Sequence, residues 1–218
     1  MSTLHYIERP AEGPARGLLI LHHGRGTDER DLLGLGDLLD PRRELHLVTP
    51  RAPIALAGSP GFHWYLVPRV GYPDPETFEA ARSALGELHD ELWTATGIGP
   101  ERTILGGFSM GCVMSHTLAL SPERPVPAGI LGFSGFIPTV PGWEPDLAGR
   151  TKLRAFIAHG RRDPVIEVGF GRLAAETLSG AGMAVEYHES DIGHQIDPGA
   201  LSASATWLTQ TLPPAATA

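Results

Sequence analysis

Short apolar runs of strand length alternate with segments of helical periodicity along nearly the whole chain, and this alternation constrains the fold more than any other feature. Strand-like runs lie near residues 4–7, 17–22, 45–49, 102–107, 128–133, 153–158 and 184–188. Apolar residues at helical spacing occur near 28–39, 75–95, 110–120, 167–180 and 198–211. Strands separated by helices pair side by side in the same direction, so the pattern predicts an α/β fold: a mostly parallel central sheet with helices on both faces. Ligands of such sheets bind at the carboxyl ends of the strands. The 218 residues suffice for one substantial core, and no repeat or interdomain linker interrupts them. A single domain over 1–212 is expected, followed by a disordered tail, Pro213-Pro214-Ala215-Ala216-Thr217-Ala218, at 213–218.

One serine stands where this pattern places chemistry. Residues 105–111 read Leu105-Gly106-Gly107-Phe108-Ser109-Met110-Gly111, a Gly-x-Ser-x-Gly pentapeptide between a strand run and a helical segment. A serine on that sharp turn is held in strained geometry with its Oγ clear of the backbone. The flanking glycines are needed because a Cβ would clash where strand and helix approach. This arrangement resembles the nucleophile elbow of the α/β-hydrolases, and the resemblance makes Ser109 the candidate nucleophile. With 27 glycines in the chain, the five letters alone carry little; their partners decide.

Those partners follow in the order acid, then histidine, each after a strand run. Asp163 lies in the loop after Leu153-Arg154-Ala155-Phe156-Ile157-Ala158, where a side chain can point across the sheet edge. Asp191 and Asp197 are its rivals, but Asp197 with Pro198 reads as a helix cap. His194 sits in Asp191-Ile192-Gly193-His194, between the last strand and the last helix, the one place among the chain's 10 histidines suited to a general base. Acyl transfer also needs two backbone N–H groups aimed at the developing alkoxide. Met110 supplies one, and the glycine-rich loop His22-His23-Gly24-Arg25-Gly26-Thr27 supplies the other, placed at Arg25. His22 and His23 are adjacent on a strand and point to opposite faces, so no metal site is expected there. Ser134 also lies among glycines, but Pro138 and Pro141 preclude a regular helix after it, so it has no elbow.

The combination of Leu21-His22-His23-Gly24-Arg25-Gly26, Gly107-Phe108-Ser109-Met110-Gly111, His159-Gly160-Arg161-Arg162-Asp163-Pro164-Val165 and Gly193-His194 resembles the phospholipase/carboxylesterase family. That family is the small, lidless α/β-hydrolase group that includes the acyl-protein thioesterases. The similarity runs from about residue 16 to 210 and takes in Pro50-Arg51-Ala52-Pro53, Trp64-Tyr65 and Gly132-Phe133-Ser134-Gly135-Phe136-Ile137-Pro138. The resemblance implies Ser109, Asp163 and His194 as the triad, and the amides of Arg25 and Met110 as the oxyanion hole. It further implies Trp64, Phe136 and Val165 as the wall of the acyl pocket. Arg25 and an extra histidine stand where the thioesterase branch usually carries an apolar residue, which implies the carboxylesterase side of the family. Dienelactone hydrolases share the fold but use a cysteine; here Cys112, the single cysteine, reads as a buried residue of the elbow helix.

Composition narrows the remaining classes. A net charge of −8 argues against a nucleic-acid surface or a polyanionic substrate. No apolar run reaches membrane-spanning length, and Met1-Ser2-Thr3-Leu4-His5-Tyr6 lacks the basic and apolar regions of a signal peptide, so a cytoplasmic protein is expected. The expected activity is serine carboxylesterase, needing no cofactor, acting on a small-molecule ester; a homodimer is left open. The rivals are a binding protein on the same fold, or a related serine acyltransferase, peptidase or perhydrolase. The segment from Ile54 to Pro73, rich in glycine, proline and aromatics, is expected to form one wall of the substrate cleft.

Overall fold

A computed structural model describes residues 4–214. The first three residues of the segment read for a signal peptide, and 215–218 of the expected tail, lie outside the described residues. Seven strands form the main sheet: β1 (Tyr6–Arg9), β2 (Gly17–His22), β3 (Leu45–Pro50), β6 (Thr103–Phe108), β7 (Gly129–Phe133), β8 (Arg154–Gly160) and β9 (Ala184–Ser190). A two-stranded hairpin, β4 (Ile54–Ala55) with β5 (Phe62–His63), stands apart from it. The helices are α1 (Leu33–Leu39), α2 (Pro75–Thr96), α3 (Met110–Leu120), α4 (Val168–Gly180) and α5 (Pro198–Thr211). The strand order is β1-β3-β2-β6-β7-β8-β9. All neighbours run parallel except β1 on β3, which pair antiparallel.

Successive residues of the central strands point to opposite faces, and both faces are covered. Leu18, Ile20, Leu105, Ile130 and Ala155 join Phe78 and Leu85 of α2, Val113 of α3 and Leu178 of α4 in one core. Leu19, Leu21, Ile104, Leu131 and Phe156 join Leu39 of α1 with Trp207 and Leu208 of α5 in the other. Each fully buried Leu or Ile stabilises the fold by about 1.5–3 kcal/mol relative to exposure. α3 lies against β2, β6 and β7 and is buried along its whole length. Its polar side chains turn back on the helix: Ser115 Oγ donates to Gly111 O and Thr117 Oγ1 to Val113 O.

Four features differ from the sequence expectation. The first strand lies at Tyr6–Arg9 instead of 4–7, as an edge strand with alternating exposure. The first helix starts at Leu33, not 28, because the Asp28 carboxylate accepts the Arg30 N–H and turns the chain there. The β4–β5 hairpin gives part of the 54–73 segment regular structure. Pro213, placed in the frayed tail, is held: its carbonyl accepts from Arg16 Nε at 3.2 Å.

Candidate active site

The last residue of β6 and the first of α3 flank Ser109, whose φ of 54° and ψ of −120° are far from helix or strand values. The Ser109 N–H donates to Phe133 O at 2.9 Å, which ties the turn to β7. A Cβ on Gly107 would lie 2.5 Å from the Gly111 carbonyl carbon, and one on Gly111 only 2.0 Å from His22 O. Both positions exclude every other residue, so the glycines of the pentapeptide are required by the close approach of β2, β6 and α3. Ser134 has a similar φ of 50° at the end of β7, but no helix follows and its hydroxyl is buried.

The acid and base loops follow β8 and β9 and are fastened together. Arg161 N–H donates to Ser190 O and Arg162 N–H to Ile192 O, at 2.8 and 3.0 Å. Gly160 permits this, since a Cβ there would fall 2.2 Å from Gly193 O. The result is one hydrogen-bonded chain. His194 Nδ1 donates to Asp163 Oδ2 at 2.6 Å, and His194 Nε2 stands 2.9 Å from Ser109 Oγ. The other oxygen of Asp163 accepts the Val165 and Ile166 N–H groups at 2.8 and 2.9 Å. Burial pushes the Asp163 carboxyl up, but His194 and the two backbone N–H groups together hold it below the usual carboxylate value. An ionised Asp163 fixes the proton on His194 Nδ1 and leaves Nε2 free to accept the Ser109 proton. The Phe108 ring, 4.8 Å from the imidazole centre, flanks His194.

The early loop lies across the serine. A Cβ on Gly24 would be 3.7 Å from Ser109 Cβ. The Gly26 N–H is taken by Phe62 O at 2.8 Å, whereas Met110, as the first residue of α3, has no intrahelical acceptor for its N–H. His23 braces this loop: Nδ1 donates to Gly24 O at 2.7 Å and Nε2 accepts the Ala52 N–H at 3.0 Å. His22 turns the other way, its Nδ1 at 2.8 Å from Ser115 Oγ, and burial drives its pKa down to about 3. The two imidazoles thus serve separate parts of the frame. The bracing role of His23 is absent from the sequence reading, because its partners here are backbone groups, one of them the Ala52 amide 29 residues away. Among the described residues no group of three His, Cys, Asp or Glu is placed to hold a metal ion.

The implied pocket wall divides. Phe136 follows Gly135, whose missing Cβ lets it approach Cys112 Sγ and Ser109 O, and the Phe136 ring packs on Phe170 at 5.2 Å. Val165 is 53% exposed beside Asp163. Trp64 is not a wall: it has no exposed surface, and its indole lies beneath the early loop, Nε1 donating to His23 O at 2.9 Å. Cys112 is buried, and burial pushes its thiol up.

A family model described as Phospholipase/Carboxylesterase matches residues 5–212. The chain belongs to this family. Within its range of similar proteins is Esterase YpfH of Escherichia coli (strain K12), 26% identical over 212 residues, covering 96% of this chain and 89% of the relative. Acyl-protein thioesterase 1 homolog 1 of Dictyostelium discoideum is 24% identical over 205 residues, covering 89% and 90%. The crystal structure of esterase PE8 superposes with a TM-score of 0.79 at 30% identity, covering 96% of this chain and 99% of that one. As a phospholipase/carboxylesterase family member, the chain is a hydrolase of ester or thioester substrates, on an α/β-hydrolase fold without a cap domain among the described residues.

Proposed function

We propose that this enzyme is a serine carboxylesterase that hydrolyses small to medium acyl esters, thioesters included, by two-step acyl transfer. The observation that carries this reading is the unbroken chain from Ser109 Oγ through His194 to Asp163. Ser109 attacks the ester carbonyl while His194 Nε2 takes its proton. The amides of Arg25 and Met110 stabilise the tetrahedral oxyanion. His194 returns the proton to the leaving alcohol or thiol, and water then cleaves the acyl-enzyme by the same steps.

Exposed apolar side chains of the 54–73 segment supply the surface proposed for the acyl group. Leu66, Val67, Val70 and Tyr72 expose apolar surface, and Gly71 packs on Phe170, which packs on Phe136. In this reading the Phe136 and Phe170 pair and the exposed Val165 receive an acyl chain of a few carbons. The test is hydrolysis of p-nitrophenyl esters from acetate to octanoate by the wild type and Ser109→Ala. The expected result is a rate maximum below octanoate and a loss of about 10³-fold or more in kcat for Ser109→Ala. A rate still rising at octanoate overturns the size limit, and an undiminished Ser109→Ala overturns the nucleophile.

A further inference from the structure

His159, at the end of β8, has no part in the proton path, yet it is built into the acid loop. Its Nε2 lies 2.8 Å from Ile166 O and 3.5 Å from Asp163 Oδ2, and neither the imidazole nor the Asp163 side chain has exposed surface. A carbonyl only accepts, so Nε2 carries the proton and donates it to Ile166 O. Ile166 in turn donates its N–H to Asp163 Oδ1 at 2.9 Å. His159, Ile166 and Asp163 therefore close a ring of contacts in which the carboxylate cannot turn without breaking several bonds. Burial lowers the basicity of His159, with the Ile166 carbonyl opposing it. An uncharged imidazole donates to its acceptors without setting a second cation against Asp163 in competition with His194.

The position has a cost that packing does not explain. His159 Nδ1 is buried with no hydrogen-bond partner, and Gly171 of α4 sits against it so closely that a Cβ would be 2.5 Å away. A phenylalanine or leucine would fill this space without an unsatisfied nitrogen. What only the histidine supplies is the N–H edge at Nε2.

We propose that His159 is a positioning residue of the hydrolytic site: its Nε2–H holds Ile166, and through it the Asp163 carboxylate, so that Oδ2 stays aimed at His194. The inference rests on the reading of Ser109, His194 and Asp163 as the reacting triad. The test uses the full chain as wild type, His159→Phe, His159→Asn, His159→Gln and Ser109→Ala. It records kcat and KM on p-nitrophenyl butyrate, the far-downfield proton resonance of His194 Nδ1–H, and the thermal unfolding midpoint. His159→Phe is expected to lose about tenfold or more in kcat with KM within about twofold, because a misplaced group costs rate far more than binding. The downfield resonance disappears with it. His159→Gln, whose amide reaches the place of Nε2–H, restores the resonance and most of kcat. Should His159→Phe fail to fold, His159→Asn takes its place, since its amide is one atom too short to reach Ile166 O.

Wild-type kcat and an intact resonance in the non-donating variant overturn the proposal. So does a His159→Gln as impaired as that variant, which would make the role one of bulk. If Ser109→Ala keeps full activity, the triad reading fails whatever the His159 variants do. If Ser109→Ala is inert and the non-donating variant runs at the wild-type rate, the role of His159 alone fails.

Discussion

At Ser109 the backbone adopts a positive φ that L residues avoid, and a strained residue of this kind costs about 1–3 kcal/mol unless its surroundings enforce it. Here the enforcement comes from Gly107 and Gly111, which let β2, β6 and α3 close on the turn, and from the Ser109 N–H bond to Phe133 O. Asp163 is held with equal firmness, both oxygens engaged. Replacing it by asparagine puts an amide where an acceptor is needed and favours the wrong His194 tautomer. Asp163→Asn is therefore expected to lower kcat by about 10³–10⁴-fold with little change in fold, measured on p-nitrophenyl butyrate beside a far-UV spectrum. A loss under tenfold would remove Asp163 from the acid role. That Ser109, Asp163 and His194 meet could be anticipated from the sequence, because each places a polar side chain in a loop after a strand, in a fixed order. Trp64 could not be assigned that way. Whether a tryptophan faces a cleft or the underside of a loop depends on what covers it, and here His23 and Met110 do, the Trp64 N–H donating to Met110 Sδ at 3.2 Å.

At the scale of elements, the loop that carries Gly24 and Arg25 is steadied by an ion pair between the buried Glu29 and the half-buried Arg51. Arg51, just after β3, donates from Nε and Nη2 to the two Glu29 oxygens at 2.5 and 2.6 Å, and its guanidinium also lies over the Phe62 ring at 4.7 Å. Phe62 in β5 accepts the Gly26 N–H, so loop, strand end and hairpin form one assembly. The Arg51 hydrogen bonds hold the Glu29 carboxyl at about 2, against an ordinary value of 4.5. A carboxyl depressed by folding stabilises the native state fully above its unfolded value and loses that contribution as pH falls through the folded one. Glu29→Gln is thus expected to be less stable than the wild type above about pH 4.5, with the gap closing as pH falls toward about 2. Urea unfolding at a series of pH values measures this, and a gap that stays constant down to about pH 2 would show that the ionised carboxylate is not its source. The longer helices α2, α3, α4 and α5 matched their sequence periodicity closely, with Asp197 capping α5 through the Ala200 N–H at 2.9 Å. The start of α1 did not, because a short side chain at Asp28 competed with the backbone.

For the whole molecule, the three groups of the proposed triad come from the ends of β6, β8 and β9, separated by 85 residues between Ser109 and His194 and 31 between His194 and Asp163. Their geometry exists only when the sheet is complete and both cores are packed. Reaction of Ser109 with a fluorophosphonate and the far-UV signal are therefore expected to disappear at one urea midpoint. Labelling lost well before the far-UV signal would mean that the acid and base loops open as a separate unit. No helix among the described residues is long and apolar enough to cross a membrane.

The sequence by itself determined the layered α/β architecture and singled out the candidate triad, because hydrophobic period, glycine at close approaches and chain order can be read without coordinates. Only the tertiary structure decided which groups hold those residues in place. His23 and His159 act through backbone carbonyls and amides, which no side-chain pattern reveals, and the burial of Trp64 follows from loops that meet only after folding. Spacing along the chain points to a candidate nucleophile, acid and base; the common orientation of these side chains comes from contacts between segments that the chain keeps far apart.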